Sequence, residues 1–442
     1  MKKINLFVSV VVLISLFFIS TSTGTYASNE TNINKERILV KFKDDKKSDN
    51  LIYSINSKHE KSNIKIKKKY SQSNIELWEL DSRKDADDII NELQSDPSVE
   101  FIQVDYKLGT YKNIESIPVT DPYFIYQWGL SNTGQLIGVN GVPGIDINAI
   151  KSWTITKGSQ STLVGVLDSG IDINHPEIKD NVFVNNRETP NNGIDDDGNG
   201  YIDDANGWDF LNNDSTVYDS YMQDIHGTHV AGIIAASNDE QGICGVAPNV
   251  KILPLKFMDS VEGGYTSDAI EAIEYAQTMG VTIINCSWSG TEMNPALKHV
   301  MKHSNILFVC SAGNSGVDLK DNPVYPACFN LDNILTVGAI DNQGNIASFS
   351  NYGKDVDVVA PGVNILSIIP ENGYLFGGGT SAAAPHVTGI AALAQSISPN
   401  IRSSKLADII RNNVIKDKDR YSNIKSKGRV DAFKVLVDLK KK

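Results

Sequence analysis

Cysteine, long apolar runs and surplus positive charge are all scarce in this chain. Only four cysteines occur in 442 residues, Cys244, Cys286, Cys310 and Cys328, and none forms a CxxC pair. Three full pairings are open to them, and Cys286 and Cys310 lie in apolar strand-like runs where a bridge and buried free thiols are both open. One long apolar run exists, Ile4–Ile19, behind Lys2 and Lys3 and ahead of "STSTGTYA". It is short for a membrane span, and the small residues around Tyr26 suit cleavage, so residues 1–27 are read as a secretory signal. No second such run follows and the end, "KKK", carries no anchor, so the expected product is secreted, extracellular and without a stable membrane anchor. The net charge is −12 and sits mainly beyond residue 111; an acidic body argues against nucleic acid as a partner. Internal repeats and low-complexity tracts are absent from the sequence as well.

Two textures follow the leader. Residues 28–111 are rich in Lys and Ser, with strand-like "RILVKFK" and "VEFIQVDYKL" and a short helical pattern at Ala86–Leu93. That suggests a small α+β unit, closed by the polar stretch "TYKNIESIPVTDP". Beyond Asp121, apolar runs such as "TLVGVLD", "VKILPLKF", "VTIINCSW", "NILFVCSAGN", "NILTVGAI" and "DVDVVAPG" alternate with helical patterns at His226–Ser237, Ser267–Met279 and Asn294–Ser304. Continuous apolar strands alternating with helices mean an α/β fold whose parallel sheet is covered on both faces. Functional groups then collect beyond the carboxyl ends of the strands.

The densest chemistry is "GGGTSAAAPHVTG", Gly377–Gly389. Small residues crowd Ser381, and an apolar run from Val387 to Leu393 follows, as in a buried helix. Pro385 is expected in the first turn of that helix, which places Ser381 at the helix N-terminus beside free N–H groups. Such a serine is either a cap or a nucleophile. "LVGVLDSGID" ends a strand at Asp168, and "HGTHVAGIIAA" opens a helix with His226 at its free end and His229 packed inside. An imidazole makes a serine hydroxyl nucleophilic, and a carboxylate orients the imidazole. The order Asp168, His226, Ser381 is one of the recurring orders of this triad. Asn314, ending "CSAGN", supplies an amide for an oxyanion, or forms a turn with Gly316. A zinc site built on His226, His229 and Asp168 is the rival chemistry, although HExxH is missing.

A metal is suggested by "DDDGNGYIDD". Asp195, Asp197 and Asn199 alternate, followed by Gly200 and a Tyr201 carbonyl, as in a calcium loop; the usual terminal glutamate is missing, with Asp203 or Asp204 as substitutes. His299 and His303, four apart on a helix, are read as a solvated face.

The strings "VLDSGID", "HGTHVAG", "SAGN" and "GTSAAAPHVTG" together resemble the subtilisin-like serine proteases from Asp121 to about Phe433. The resemblance implies an enzyme, an endopeptidase acting on protein or peptide substrates. Asp168 would orient, His226 act as base then acid, Ser381 attack and Asn314 stabilise the intermediate. It implies substrate-binding edges at Glu262-Gly263-Gly264 and Ser287-Trp288-Ser289, with Ser289 where the family more often has glycine, and a pocket floor at Val324. A second calcium site would draw on Asp121, Glu177, Ser237, Asp239, Gln241 and Ile243. By the same resemblance residues 28–111 are an inhibitory, ferredoxin-like propeptide, cut off between about 107 and 120, and residues 112–442 are the catalytic domain of a monomeric enzyme made as a zymogen. Ala382 stands where many relatives carry methionine. An inactive relative serving as a binding scaffold is the remaining alternative.

Overall fold

The computed structural model describes residues 37–43, 51–55, 64–71, 73–80, 89–90, 92–94, 96–105 and 119–441. The signal-like leader and most of the expected cleavage window fall outside them. The chain divides into two units, Met1–Ile114 and Glu115–Lys442.

In the first unit, four strands, β1 (Arg37–Phe42), β2 (Lys65–Tyr70), β3 (Ile75–Glu79) and β4 (Val99–Val104), pair antiparallel in the order β2-β3-β1-β4. Strand β1 alternates: Ile38, Val40 and Phe42 are buried, and the residues between them are partly exposed. Period-two burial means a sheet with one covered face. Ile89 and Leu93 join those residues and Trp78 in a small core. The Trp78 indole donates to Glu76 Oε2 at 2.8 Å, so its one polar atom is satisfied in that core. The strand order is that of a ferredoxin-like unit, as the family resemblance implied.

The second unit is built on strands β5 (Leu163–Asp168), β6 (Trp208–Asp209), β7 (Lys251–Lys256), β8 (Ile283–Cys286), β9 (Leu307–Ser311), β10 (Ile334–Ile340) and β11 (Val358–Pro361). A hairpin, β12 (Ile365–Ile369) and β13 (Gly373–Gly377), stands apart, and β14 (Val414–Lys416) and β15 (Gly428–Val430) close one edge. The main sheet runs β14-β15-β11-β10-β9-β8-β5-β7-β6, parallel throughout except for the antiparallel β14–β15 pair. It is thus mixed at its edge rather than wholly parallel. Both faces are covered. Leu307 and Val309 of β9 belong to one core, Phe308 and Cys310 to the other. This explains why the strands read as unbroken apolar runs.

Helices α1 (Ala149–Trp153), α2 (Tyr221–Ala235), α5 (Thr380–Ile397), α6 (Ser403–Asn412) and α7 (Ala432–Lys440) feed the first of these cores; α3 (Thr266–Thr278) and α4 (Pro295–His303) feed the second. Strand β5 lies between β7 and β8, so the chain changes direction across the sheet there, and Asp168 is its last residue. A switch of this kind opens a crevice at the strand's carboxyl end. All four cysteines are free thiols, and Cys286 and Cys310 lie side by side in register on β8 and β9.

Two helix starts differ from the sequence reading. Helix α2 begins at Tyr221, five residues before His226, because Ser220 caps it by accepting from the Gln223 N–H. His226 therefore sits in the second turn. Helix α5 begins at Thr380, with Ser381 second, and Pro385 falls beyond the first turn. A proline there removes an internal hydrogen bond and costs about 3 kcal/mol relative to alanine.

Candidate active site

Asp168 is fully buried, and its Oδ1 accepts from His226 Nδ1 at 2.7 Å and from the Ser169 N–H at 2.8 Å. This contact fixes the imidazole tautomer: Nδ1 carries the proton and Nε2 is left as the basic nitrogen. Burial opposes charge on His226, but the Asp168 carboxylate beside it outweighs burial and raises its pKa above the ordinary value.

The backbone admits this pair because the residues around it are small. A methyl at Gly227 would lie 2.2 Å from the Gly170 carbonyl oxygen, so α2 can approach the end of β5 only with glycine there. The approach is also held by charge. Lys256, fully buried at the end of β7 and in register with Asp168, donates to Asp224 of α2 at 2.8 Å and to Asp219 at 2.5 Å. Lysine is stable in such burial only when paired. The sequence signal was a lone lysine ending an apolar run, and the reading missed it.

Ser381 and His226 line one cleft of about 200 Å³, with Leu375, Gly377, Gly378 and Ala382 among its walls. No hydrogen bond joins Ser381 Oγ to the imidazole in this conformation; such bonds commonly tighten only when substrate is bound. At Gly379 a methyl would lie 2.9 Å from Ser381 Oγ, 3.2 Å from Asn314 Nδ2 and 3.6 Å from Ser381 N. The Ser381 hydroxyl and two N–H donors thus border one small volume that glycine leaves open. The Asn314 amide is held in a fixed orientation. Its Oδ1 accepts from the Thr380 N–H at 2.8 Å and from Thr380 Oγ1 at 2.9 Å, which turns Nδ2 the other way. Thr380 is a second residue the sequence reading missed.

His229 is packed, as expected. Its Nε2 lies 3.3 Å from the carbonyls of Ile365 and Leu375, and burial, then the nearby His226, pushes its pKa down to about 4.

The expected substrate edges are partly engaged. Gly263-Gly264 pairs antiparallel with Met258-Asp259, while Glu262 and Gly264 are exposed. Ser289 is exposed, but Ser287 is buried, and Trp288 packs on Phe257 with its indole donating to the Leu167 carbonyl at 3.0 Å. Half-buried Val324 precedes Tyr325, whose N–H and carbonyl bridge those of Gly290, so the expected floor is tied to the residue that follows the Ser287-Trp288-Ser289 edge.

The acidic loop divides. Asp197 and Asp204 come within 4.8 Å of each other and of Glu188, a carboxylate the sequence did not suggest for this group. Glu188 Oε2 is buried without a hydrogen-bond partner, and three carboxylates at this spacing suit a hard cation such as calcium. The other two candidate aspartates, Asp195 and Asp203, turn elsewhere. Asp195 accepts from the N–H groups of Asn199 and Gly200, and Asp203 from those of Asn192 and Gly193. Asn199 donates from its amide to Asp204, and the Tyr201 N–H goes to Asn199.

At the second expected metal site, Asp121 binds the 238–239 turn and Asp239 accepts from Gln241. Glu177 is buried; its oxygens accept from Tyr374 and the Ile243 N–H, and its backbone carbonyl takes the Ser237 N–H. Burial pushes the Glu177 carboxyl up to about 7, against the Tyr374 hydrogen bond and with help from Asp239. These acids do not form a three-carboxylate group like that at Glu188.

Comparison with known proteins bears on this geometry. Residues 22–105 match the model of the fervidolysin N-terminal prodomain. The chain is 34% identical over 313 residues to a thermophilic serine proteinase of Bacillus sp. strain AK1, covering 70% of this chain and 66% of that one. It is 33% identical to thermitase of Thermoactinomyces vulgaris, covering 66% of this chain and 93% of thermitase. Of a subtilisin-like protease from Plasmodium berghei it spans only 54%. A solved structure titled as a protease from Pseudoalteromonas arctica superposes with a TM-score of 0.57 at 25% identity, covering 72% of this chain and 99% of that one. Residues 159–431 match the subtilase family model; that is more than half of the sequence, and it includes every residue of the cleft, so this chain belongs to the subtilase family.

Proposed function

We propose that the chain is a secreted serine endopeptidase, made as a self-processing zymogen whose N-terminal unit inhibits it until cleavage. The observation that carries the reading is Asp168 bound to His226 Nδ1 at 2.7 Å in the cleft that holds Ser381. Nε2 of His226 takes the hydroxyl proton as Ser381 Oγ attacks a peptide carbonyl. The resulting oxyanion accepts from Asn314 Nδ2 and the Ser381 N–H. His226 then gives its proton to the departing amine, and water releases the acyl group by the same route reversed. The Glu188, Asp197 and Asp204 carboxylates would hold calcium, which supplies charge balance to the loop and no chemical step.

The zinc alternative is disfavoured by His229, whose Nε2 is committed to backbone carbonyls. Among the described residues, no helix is long and apolar enough to cross a membrane.

The test is intact-mass analysis of the purified wild type and Ser381→Ala. Self-processing predicts loss of the propeptide, residues 28 to about 111, only in the wild type. Processing of both, or peptide hydrolysis surviving in Ser381→Ala, counts against the reading.

A further inference from the structure

We propose that Ser287 is a positioning residue for the nucleophile, holding a carbonyl that Pro385 leaves without its helical donor. The inference rests on the protease reading above and goes further into the same site. In an α-helix the carbonyl of residue 381 accepts from the N–H of residue 385, and here that residue is proline. The Ser381 carbonyl instead accepts from Ser287 Oγ at 2.9 Å.

Neighbouring carbonyls at the start of α5 have local partners. The Gly379 carbonyl takes the N–H of Ala383, and the Ala382 carbonyl takes His386 Nδ1 at 2.9 Å. The Ser287 hydroxyl has a single proton, and its direction is set. It accepts from Asn285 Nδ2 at 2.8 Å, so it donates to Ser381. Asn285, fully buried, in turn accepts from Thr388 Oγ1 at 2.8 Å. The chain of bonds leaves α5 at Ser381 and re-enters it at Thr388, across both sides of the proline.

Ser381 carries the attacking oxygen and one oxyanion donor, so holding its carbonyl fixes the rotation of the residue that bears both. Ser287 also begins the edge expected to receive the substrate backbone. One short segment would therefore hold the nucleophile and the substrate in mutual register, the alignment on which attack geometry depends. The gap made by Pro385 is what lets that segment reach Ser381.

The test is a cycle of Ser287→Ala, Pro385→Ala and the double variant, with kcat and KM on a chromogenic peptide and a thermal melt of each. Ser287→Ala should lower kcat about tenfold with KM changed less than about twofold. Ser287→Thr, which keeps the hydroxyl, should restore most of kcat. In the Pro385→Ala background residue 385 regains an N–H for the Ser381 carbonyl, so removing the Ser287 hydroxyl should cost less than about twofold. Should Ser287→Ala fail to fold, Ser287→Cys, a weak donor, takes its place in the cycle. Equal losses in both backgrounds, a loss confined to KM, or wild-type kcat in Ser287→Ala would overturn the proposal. Failure of the protease reading would look different, since the wild type itself would not turn over.

Discussion

Among the described residues, two buried carboxylate oxygens have no hydrogen-bond partner, Asp168 Oδ2 and Glu188 Oε2. The two centres they belong to are built in opposite ways. At the first, the other oxygen of Asp168 meets a titratable base, and the surroundings come from four distant segments brought to the carboxyl edge of one sheet. At the second, carboxylate meets carboxylate within a span of seventeen residues, Glu188 to Asp204. An acid beside a base can move protons. Acids beside acids repel unless they share a proton or a cation sits among them, as the Arg187 guanidinium already does at 2.9 Å from Asp197. The first centre should therefore govern rate and the second stability, and each can be disturbed without the other.

The largest separation is expected from Ser381→Ala. Turnover should fall about 10⁶-fold, the size of effect known for the nucleophile within this family, with the melting temperature nearly unchanged. Next, Asn314→Ala should cost about 10²–10³ in kcat, again the scale established within this family, with little change in KM. Steady-state kinetics on a peptide substrate check both.

The second centre should show the reverse pattern. Glu188→Gln, or chelation of calcium, should lower the melting temperature, by about 5–10 °C if calcium is normally present near 100 times its Kd. Initial rates below the melt should change little. Calorimetry with and without calcium decides it, and a Glu188→Gln protein that keeps the full calcium-dependent shift would erase the contrast.

The pH profile sharpens the comparison further. The base must be neutral to act, and Asp168 holds the His226 pKa above the usual imidazole value. Activity should therefore be lost as pH falls through a midpoint above about 6.5. Asp168→Asn should move that midpoint down as well as slow the enzyme. The smallest expected effect is that of peroxide. Ala382 lines the cleft and has no thioether to oxidise, so most activity should survive exposure. Ala382→Met should make the enzyme sensitive.

How much of this was legible beforehand differs between the same two centres. Asp168, His226, Asn314 and Ser381 each lie in a recognisable local string at a strand end or near a helix start, so their types and positions could be read beforehand. The acidic loop announced itself too, but not its membership. Glu188 lies outside the aspartate run and is drawn in only by the fold, whereas Asp195 and Asp203 spend their oxygens on nearby N–H groups. The start of α2 was misplaced because Ser220 is one polar residue among many and gains its meaning only from the helix it caps. Lys256 and Ser287 act through partners 32 and 94 residues away, and no local pattern records such pairings.

The central claim is that Ser381 is a nucleophile activated by His226. Peptide mapping after reaction with a fluorophosphonate tests it most directly. The account predicts one adduct, on Ser381, formed in the wild type and lost in His226→Ala. An unlabelled Ser381 in a wild type that still hydrolyses peptides, or labelling of Ser381 unaffected by loss of His226, would contradict it.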